Sequence, residues 1–218
     1  NISMEGYRWE PDVEGQQNIA FFPGYPLLTK VVADLLGAQN VSDWENLAPR
    51  LAVERLQLVF IGAAVLVSFV SFGWGLVWLY ALAREHLDEP ATRGALFLMA
   101  AYPFAVFFSA AYTESLMLLA VVGAFYHFKQ EHWIAAAGWG LLAGLTRPNG
   151  FLLAGPLCIL ALQHLAARRT ATTYWRQLRT QALVLAGVAA MPAIGAVVYS
   201  VFVYTLTGNP FEWREAHT

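Results

Sequence analysis

Residues 56–83 run for 28 positions without a charged side chain. A helix crosses about 30 Å of hydrocarbon with about 20 apolar residues, so this run is long enough to span a bilayer with tilt. The whole chain leans the same way. Of its 218 residues, 58% are hydrophobic and 13% charged, where an average soluble domain carries about 25% charged residues. The fold class read from this is all-α, a polytopic transmembrane helical bundle.

Six membrane segments are expected. The first covers residues 55–83. The apolar run 94–128 is too long for one simple span and holds Pro103 and Glu114, so it is divided near residues 109–112. Thr113 is expected to cap the helix that follows, with Glu114 in its first turn, where a carboxylate complements the helix dipole. Residues 133–146 and 150–166 flank Arg147, the first short for a full crossing and read as tilted, re-entrant or extended, and residues 182–206 form the last segment. Polar links at 84–93, 129–132 and 168–181 join them. The chain starts in polar sequence and stops soon after Gly208-Asn209-Pro210, so it is read as an internal piece of a longer membrane protein. On this reading residues 1–54 are an external loop with short helices, 55–206 the bundle and 207–218 the start of a later external loop.

Within the first loop, Leu27, Leu28, Val31, Val32, Leu35 and Leu36 recur at helical spacing between Pro26 and Gly37. That predicts a short interfacial helix. Ser42-Asp43-Trp44-Glu45 has capping-box form and predicts another short helix. Pro49 suits the first turn of the next. Asn40-Val41-Ser42 is a glycosylation sequon, a triplet common by chance.

Positive charge sets the expected orientation. Arg84, Arg93, Lys129, Arg168, Arg169, Arg176 and Arg179 fall in one set of short links, and the opposite turns hold Arg147 alone. The first set is assigned to the cytoplasm. The turns at Glu114 and Arg147, the N-terminal loop and Asn209-Pro210 are then external together.

Several function classes are excluded. Net charge is −2 and no basic stripe is present, so no nucleic-acid partner is expected. The single cysteine, Cys158, allows no internal disulfide or multi-cysteine metal site and reads as packing. The five histidines lack ligand spacing, and no glycine-rich phosphate loop or serine nucleophile elbow occurs. No metal is expected.

The candidate site gathers at the external turns, because polar side chains at membrane depth are costly and mark functional sites. Arg147 follows one helix, Pro148 breaks it, and Asn149 is placed to cap the next. A guanidinium beside free helix N–H groups suits a phosphate, while an arginine snorkelling to lipid headgroups gives the same sequence. Glu114 suits a sugar hydroxyl, a general base or a partner for Arg147, and equally a simple helix-start carboxylate. Phe22, Pro23, Tyr25 and Pro26 sit in an aromatic turn fixed by two prolines, either an interfacial anchor or a rigid wall under a sugar or lipid. Trp9, Trp44, Trp133, Trp139 and Trp213 read as belt or packing residues. Glu5, Glu10, Asp12 and Glu14 form a mostly solvated scatter within reach of the site.

Four segments in order resemble the PIG-V family. They are Ile2-Ser3-Met4-Glu5-Gly6-Tyr7 with Ile19 through Leu27, then Ala110-Ala111-Tyr112-Thr113-Glu114-Ser115-Leu116, then Thr146-Arg147-Pro148-Asn149-Gly150, and finally Gly208-Asn209-Pro210. Ser3 replaces the family's alanine, and Pro148 replaces a small residue before Asn149. The resemblance implies a GT-C glycosyltransferase of the kind that adds the second mannose to glycosylphosphatidylinositol anchors, or a bacterial relative. It further implies a polyprenyl-phosphate sugar donor, a glycan or glycolipid acceptor, membrane lipids as surroundings, and no metal or other cofactor, since the donor carries one phosphate. It places the catalytic base in a Trp-Asp segment ahead of Ile2, and so upstream of Asn1. Arg147, Asn149, Glu114, Tyr112, Thr113, Phe22, Pro23, Tyr25 and Pro26 are then expected to bind donor phosphate or substrate. The localisation implied is a plasma membrane with an external active site, or the endoplasmic reticulum membrane in a eukaryote. Two other readings stay open: a transporter or lipid flippase gated by Glu114 and Arg147, and a scaffold subunit whose polar turns lie far apart.

Overall fold

The computed structural model describes residues 6–7, 18–38, 49–168 and 175–215. Among them the secondary structure is entirely helical. The expected helix at 42–45, the Asn40 sequon, Trp9, Trp44, Glu5, Glu10, Asp12 and Glu14 lie outside the described residues.

The elements follow from local sequence. A 3-10 turn at Asn18–Ala20 leads into α1, Gly24–Leu35. Helix α1 stops where Gly37 turns into the left-handed region at φ 95°. Helix α2, Pro49–Ala83, opens on its proline. Helix α3, Glu89–Ala101, starts inside the segment expected as a polar link. Asp88 accounts for that early start: its carboxylate accepts the Ala91 N–H at 2.9 Å, and Pro90 sits in the first turn. A 3-10 turn, Pro103–Ala105, and the four-residue α4, Val106–Ser109, lead to α5, Glu114–Lys129. Then come α6, Trp133–Thr146, a 3-10 turn at Pro148–Leu153, and α7, Ala154–Arg168. Helix α8, Trp175–Thr207, begins well before residue 182, so Arg176 and Arg179 ride on its first turns instead of in a link. The short α9 is Glu212–Glu215.

The all-α, polytopic architecture forms as expected, and three or four of the expected segments have the length and apolarity of a full crossing among the described residues. Val53–Ala83, Pro148–Arg168 and Trp175–Thr207 are long and apolar enough to cross a membrane, and a fourth crossing results if Glu89–Ala101 and Pro103–Ser109, bent by 68°, act as one. Helix α5 has 16 residues and α6 has 14. At 1.5 Å per residue they reach about 24 and about 21 Å, short of the hydrocarbon thickness. Both stop at the same end, where the chain breaks before Glu114 and at Arg147-Pro148. The break in the 94–128 run also differs from expectation. It occurs first at Tyr102-Pro103, where Tyr102 is extended (φ −62°, ψ 138°) because proline disfavours a helical residue ahead of it. A second break follows at residues 110–113.

The contacts of the links sort them to two ends. At one end Lys129 bonds Glu85 and lies 3.4 Å from His86, and Arg168 bonds Glu131. At the other end the Glu114 and Arg147 turns meet the Asn18–Phe22 segment and the last turns of α8. The link cations Arg84, Lys129 and Arg168 are thus held apart from Arg147.

Small residues set the packing. Ala120, Ala124, Ala136, Ala143 and Ala189 are buried where α5, α6, α7 and α8 meet, together with Phe128, Leu157 and Leu185. Helix α6 presses onto α8 backbone to backbone: a Cβ on Gly144 would stand 2.0 Å from the Pro192 carbonyl oxygen, and one on Gly195 2.6 Å from that of Leu141. Close backbone approach over small residues is how helices associate when both faces are already apolar. Helix α1 is amphipathic in an unexpected sense. Tyr25, Thr29 and Ala33 are buried against the bundle, while Leu27, Val31 and Leu35 are exposed at 58, 55 and 81%. The predicted stripe Leu27–Leu36 is therefore split, with Leu28 and Val32 packed inward and its outer leucines left for lipid.

Gly144→Ala is expected to lower the thermal midpoint of the purified protein, at a cost of about 1–3 kcal/mol or more from overpacking. Gly187→Ala, where nothing lies within 4 Å of the added Cβ, is the matched control. Equal midpoints for the two variants would contradict the close contact.

Candidate functional site

The two breaks in the helical path bring Glu114 and Arg147 together. Glu114 is the first residue of α5 and Arg147 is the residue after α6. Each complements the dipole of its helix, the carboxylate at a start and the guanidinium at an end. Arg147 Nη1 donates to Glu114 Oε1 at 2.7 Å, with the two side chains 37% and 28% exposed. The guanidinium stays accessible enough to meet a ligand. Glu114 Oε2 is buried and has no hydrogen-bond partner.

Glycine and proline position this pair. Arg147 is extended (φ −149°, ψ 153°), as a residue before proline prefers. Gly150 then folds back on α6 so closely that a Cβ would lie 2.0 Å from the Ala143 carbonyl oxygen. Thr146, buried beside Arg147, satisfies its hydroxyl on the Leu142 carbonyl at 2.6 Å. Gly24, which starts α1, faces the same corner, with a virtual Cβ 2.9 Å from both the Leu145 carbonyl oxygen and Thr146 Oγ1. Only glycine lets α1 lie this near the arginine turn without displacing it.

A cavity of about 600 Å³ opens beside the ion pair. Glu114, Arg147, Tyr112, Thr113, Phe22, Tyr25 and Pro26 line it, with Thr29, Phe60 and Ala64 completing much of its apolar wall. Four segments distant in sequence therefore share one chamber. Two of the candidate residues do not line it. Pro23 sits at the start of α1 without reaching the cavity, and Asn149 is exposed. Two capping expectations are also corrected. Thr113 stands at the start of α5 but makes no capping bond with its side chain. The position ahead of the Pro148–Leu153 turn belongs to Arg147, so Asn149 falls inside the turn and caps nothing. Proline at the first position of the turn moves its start two residues earlier than the sequence suggests, from Gly150 to Pro148.

The walls are fixed by residues that carry no signal in the sequence. The Tyr25 hydroxyl donates to the Ala64 carbonyl at 2.7 Å and lies 2.9 Å from Ser68 Oγ, which donates to the Tyr112 carbonyl at 3.3 Å. This relay ties α1 through α2 to the turn before Glu114. In the sequence Ser68 is an ordinary polar interruption of an apolar span. Tyr199, 1% exposed, shares its hydroxyl between the carbonyls of Ile19 (2.6 Å) and Phe21 (3.0 Å), and Tyr7 donates to Phe21 at 2.7 Å. Phe22 packs on Tyr199 and Trp213, at ring separations of 4.4 and 5.3 Å. Trp213 is thus a packing residue, as its type suggests. Thr29 is a further residue that the sequence does not single out. It is 2% exposed, lines the cavity, and its hydroxyl facing the Tyr25 phenol makes no hydrogen bond of normal geometry.

Among the described residues no group of three or more His, Cys, Asp or Glu gathers in space. The polar side chains lining the cavity are one guanidinium, one carboxylate, the Asn18 carboxamide and hydroxyls, in a largely apolar chamber. Such a set holds an anion and orients neutral hydroxyl-rich ligands.

A family model described as mannosyltransferase (PIG-V) matches residues 1–209. No curated protein and no solved structure matches the chain.

A double-mutant cycle on Arg147→Met and Glu114→Gln is expected to show the two residues coupled, by about 0.5–3 kcal/mol in thermal or denaturant stability. Arg147→Met alone leaves the carboxylate without its partner, and adding Glu114→Gln relieves that loss. Strict additivity would mean the pair is solvated independently.

Proposed function

The chain belongs to the mannosyltransferase (PIG-V) family, and from that premise we propose that its cavity transfers mannose, or a related hexose, from a polyprenyl-phosphate donor to an acceptor hydroxyl on the extracytoplasmic face. The observation that carries this reading is the 2.7 Å contact of Arg147 with Glu114 in the wall of one cavity shared with Phe22 and Tyr25. The external side is supported by the charge distribution, with Lys129 and Arg168 gathered at the opposite end.

In the proposed reaction a deprotonated acceptor hydroxyl attacks the anomeric carbon. The glycosidic oxygen leaves with the lipid phosphate, taking the bonding electrons, and the configuration inverts. Charge accumulates on the leaving phosphate. A cation already held in a chamber poor in water stabilises that charge more than a mobile one in solution. Arg147 takes this role, its geometry set by Glu114 and its depth by Pro148. Glu114 holds the guanidinium through Oε1, and its partly exposed side chain stands in the cavity wall where a sugar hydroxyl would pass. Tyr112, Thr113 and the Phe22–Pro26 turn shape the space around the ring. Pro23 contributes by turning the chain into α1, and Asn149 by standing next to the phosphate-facing turn. The general base is assigned to an acidic residue of the Trp-Asp segment that precedes Ile2 in the family pattern.

The scaffold reading requires external turns far apart, and the shared cavity weighs against it. The transporter reading calls for helices broken in repeated halves, and nothing in the cavity favours it.

The test is a transfer assay on the full-length enzyme with radiolabelled polyprenyl-phosphate mannose. Arg147→Ala is expected to reduce turnover by at least about 10²–10³-fold with normal membrane expression, and Arg147→Lys to recover part of it. Near-normal turnover in Arg147→Ala would remove Arg147 from the mechanism. Transfer of no hexose by the wild type would end the reading.

A further inference from the structure

The segment between α3 and α5 departs from the usual construction of a membrane protein. Irregular backbone at membrane depth is tolerated where it is buried in protein or lines a cavity, yet Tyr102, Pro103, Phe104 and Phe107 are exposed. Their depth follows from α3, whose apolar part beyond the exposed Glu89–Arg93 pair rises about 12 Å before the 68° bend. That length puts the bend inside a hydrocarbon layer of about 30 Å.

The exposed rings form a continuous run. Tyr102 and Phe104 are 5.5 Å apart, Phe104 and Phe107 stack at 6.3 Å with an 8° interplanar angle, and Phe107 meets Tyr112 edge to face at 5.5 Å. Tyr112 ends the run, and it also lines the cavity that holds Arg147. Below Tyr102 the surface continues down α3 through Leu98, 70% exposed. An apolar track thus begins at the cavity mouth and descends into the bilayer.

We propose that this track seats the isoprenoid tail of the donor. The inference rests on the lipid-linked donor argued above and names the face of the bundle that the lipid occupies. A ligand whose phosphate is held at Arg147 must send its tail out of the cavity, and the mouth at Tyr112 opens onto a surface made for it. Isoprene units carry branched methyls and planar double bonds, which lie flat on aromatic faces and gain from contact area. Continuity with the phosphate site singles out the donor's own tail over bulk acyl chains or another protein helix.

The test compares a short-chain with a long-chain polyprenyl-phosphate mannose on the full-length enzyme in nanodiscs. The readout is the ratio of kcat/KM, long over short. Phe104→Ser and Phe104→Ser/Phe107→Ser are expected to lower that ratio by about tenfold, the scale of one or two ring burials. Leu162→Ser, at an exposed position of α7, which packs on α8, is expected to leave it within twofold. An unchanged ratio in the track variants, or an equal fall in Leu162→Ser, overturns the proposal. Photo-crosslinking with a long-chain polyprenyl phosphate bearing a diazirine in its tail separates this inference from the transfer reading. Adducts at Leu98–Tyr112 support the track even if no mannose is transferred, and adducts confined to other faces of the bundle overturn it even if transfer is normal.

Discussion

The packing of α6 on α8 is the contact on which the rest of the structure depends. Gly144 and Gly195 let the two backbones touch, and Gly150 lets the next turn fold back onto Ala143. Any Cβ at these positions would force the helices apart. Because they are close, α6 ends at a fixed point, and Pro148 converts that end into an extended arginine instead of another helical turn. Arg147 is thereby held by backbone geometry before any ion pair forms. The Glu114 contact then has little conformational freedom left to remove, which is the condition under which a partly exposed ion pair is worth forming.

The cavity is assembled from elements tied at both flanks. Tyr25, Ser68 and the Tyr112 carbonyl link α1, α2 and the start of α5 on one side. Tyr199 clamps the Ile19 and Phe21 carbonyls on the other, with Phe22 wedged between Tyr199 and Trp213. These tyrosines do two jobs at once. Their rings pack in apolar surroundings, while the Tyr25 hydroxyl bonds the Ala64 carbonyl of α2 and the Tyr199 hydroxyl satisfies carbonyls of the irregular Asn18–Phe22 segment that would otherwise be buried without partners. An amphipathic ring suits a place where loop backbone must enter an apolar bundle.

Much of this is legible in the sequence, for identifiable reasons. The uncharged run 56–83 specifies a spanning helix by length and composition alone, and it forms one. Arg147-Pro148 specifies a break because proline cannot continue α6. Charge at turns within apolar runs places Glu114 and Arg147 on one side, and the packing of α5 against α6 then makes them neighbours. Other features are illegible. Ser68, Thr29 and Tyr199 look ordinary in one dimension, because their roles depend on which carbonyl or cavity wall lies opposite. The start of α3 departs from expectation because a single carboxylate, Asp88, draws the helix into a stretch whose charge suggests a link. The caps expected of Thr113 and Asn149 fail for different reasons: Thr113 holds the capping position but with a helical backbone (φ −78°, ψ −10°) and no side-chain bond, while Asn149 falls inside the turn that Arg147 precedes.

The short reach of α5 and α6 has a consequence for the surrounding bilayer. A hydrophobic element of about 21–24 Å in a film of about 30 Å is mismatched, and lipid relieves mismatch by thinning locally and drawing headgroups inward. Next to Glu114 and Arg147 the bilayer should therefore be dimpled. The headgroup layer would there sit closer to the Arg147 turn than a flat bilayer allows, shortening the path between the guanidinium and the lipid surface.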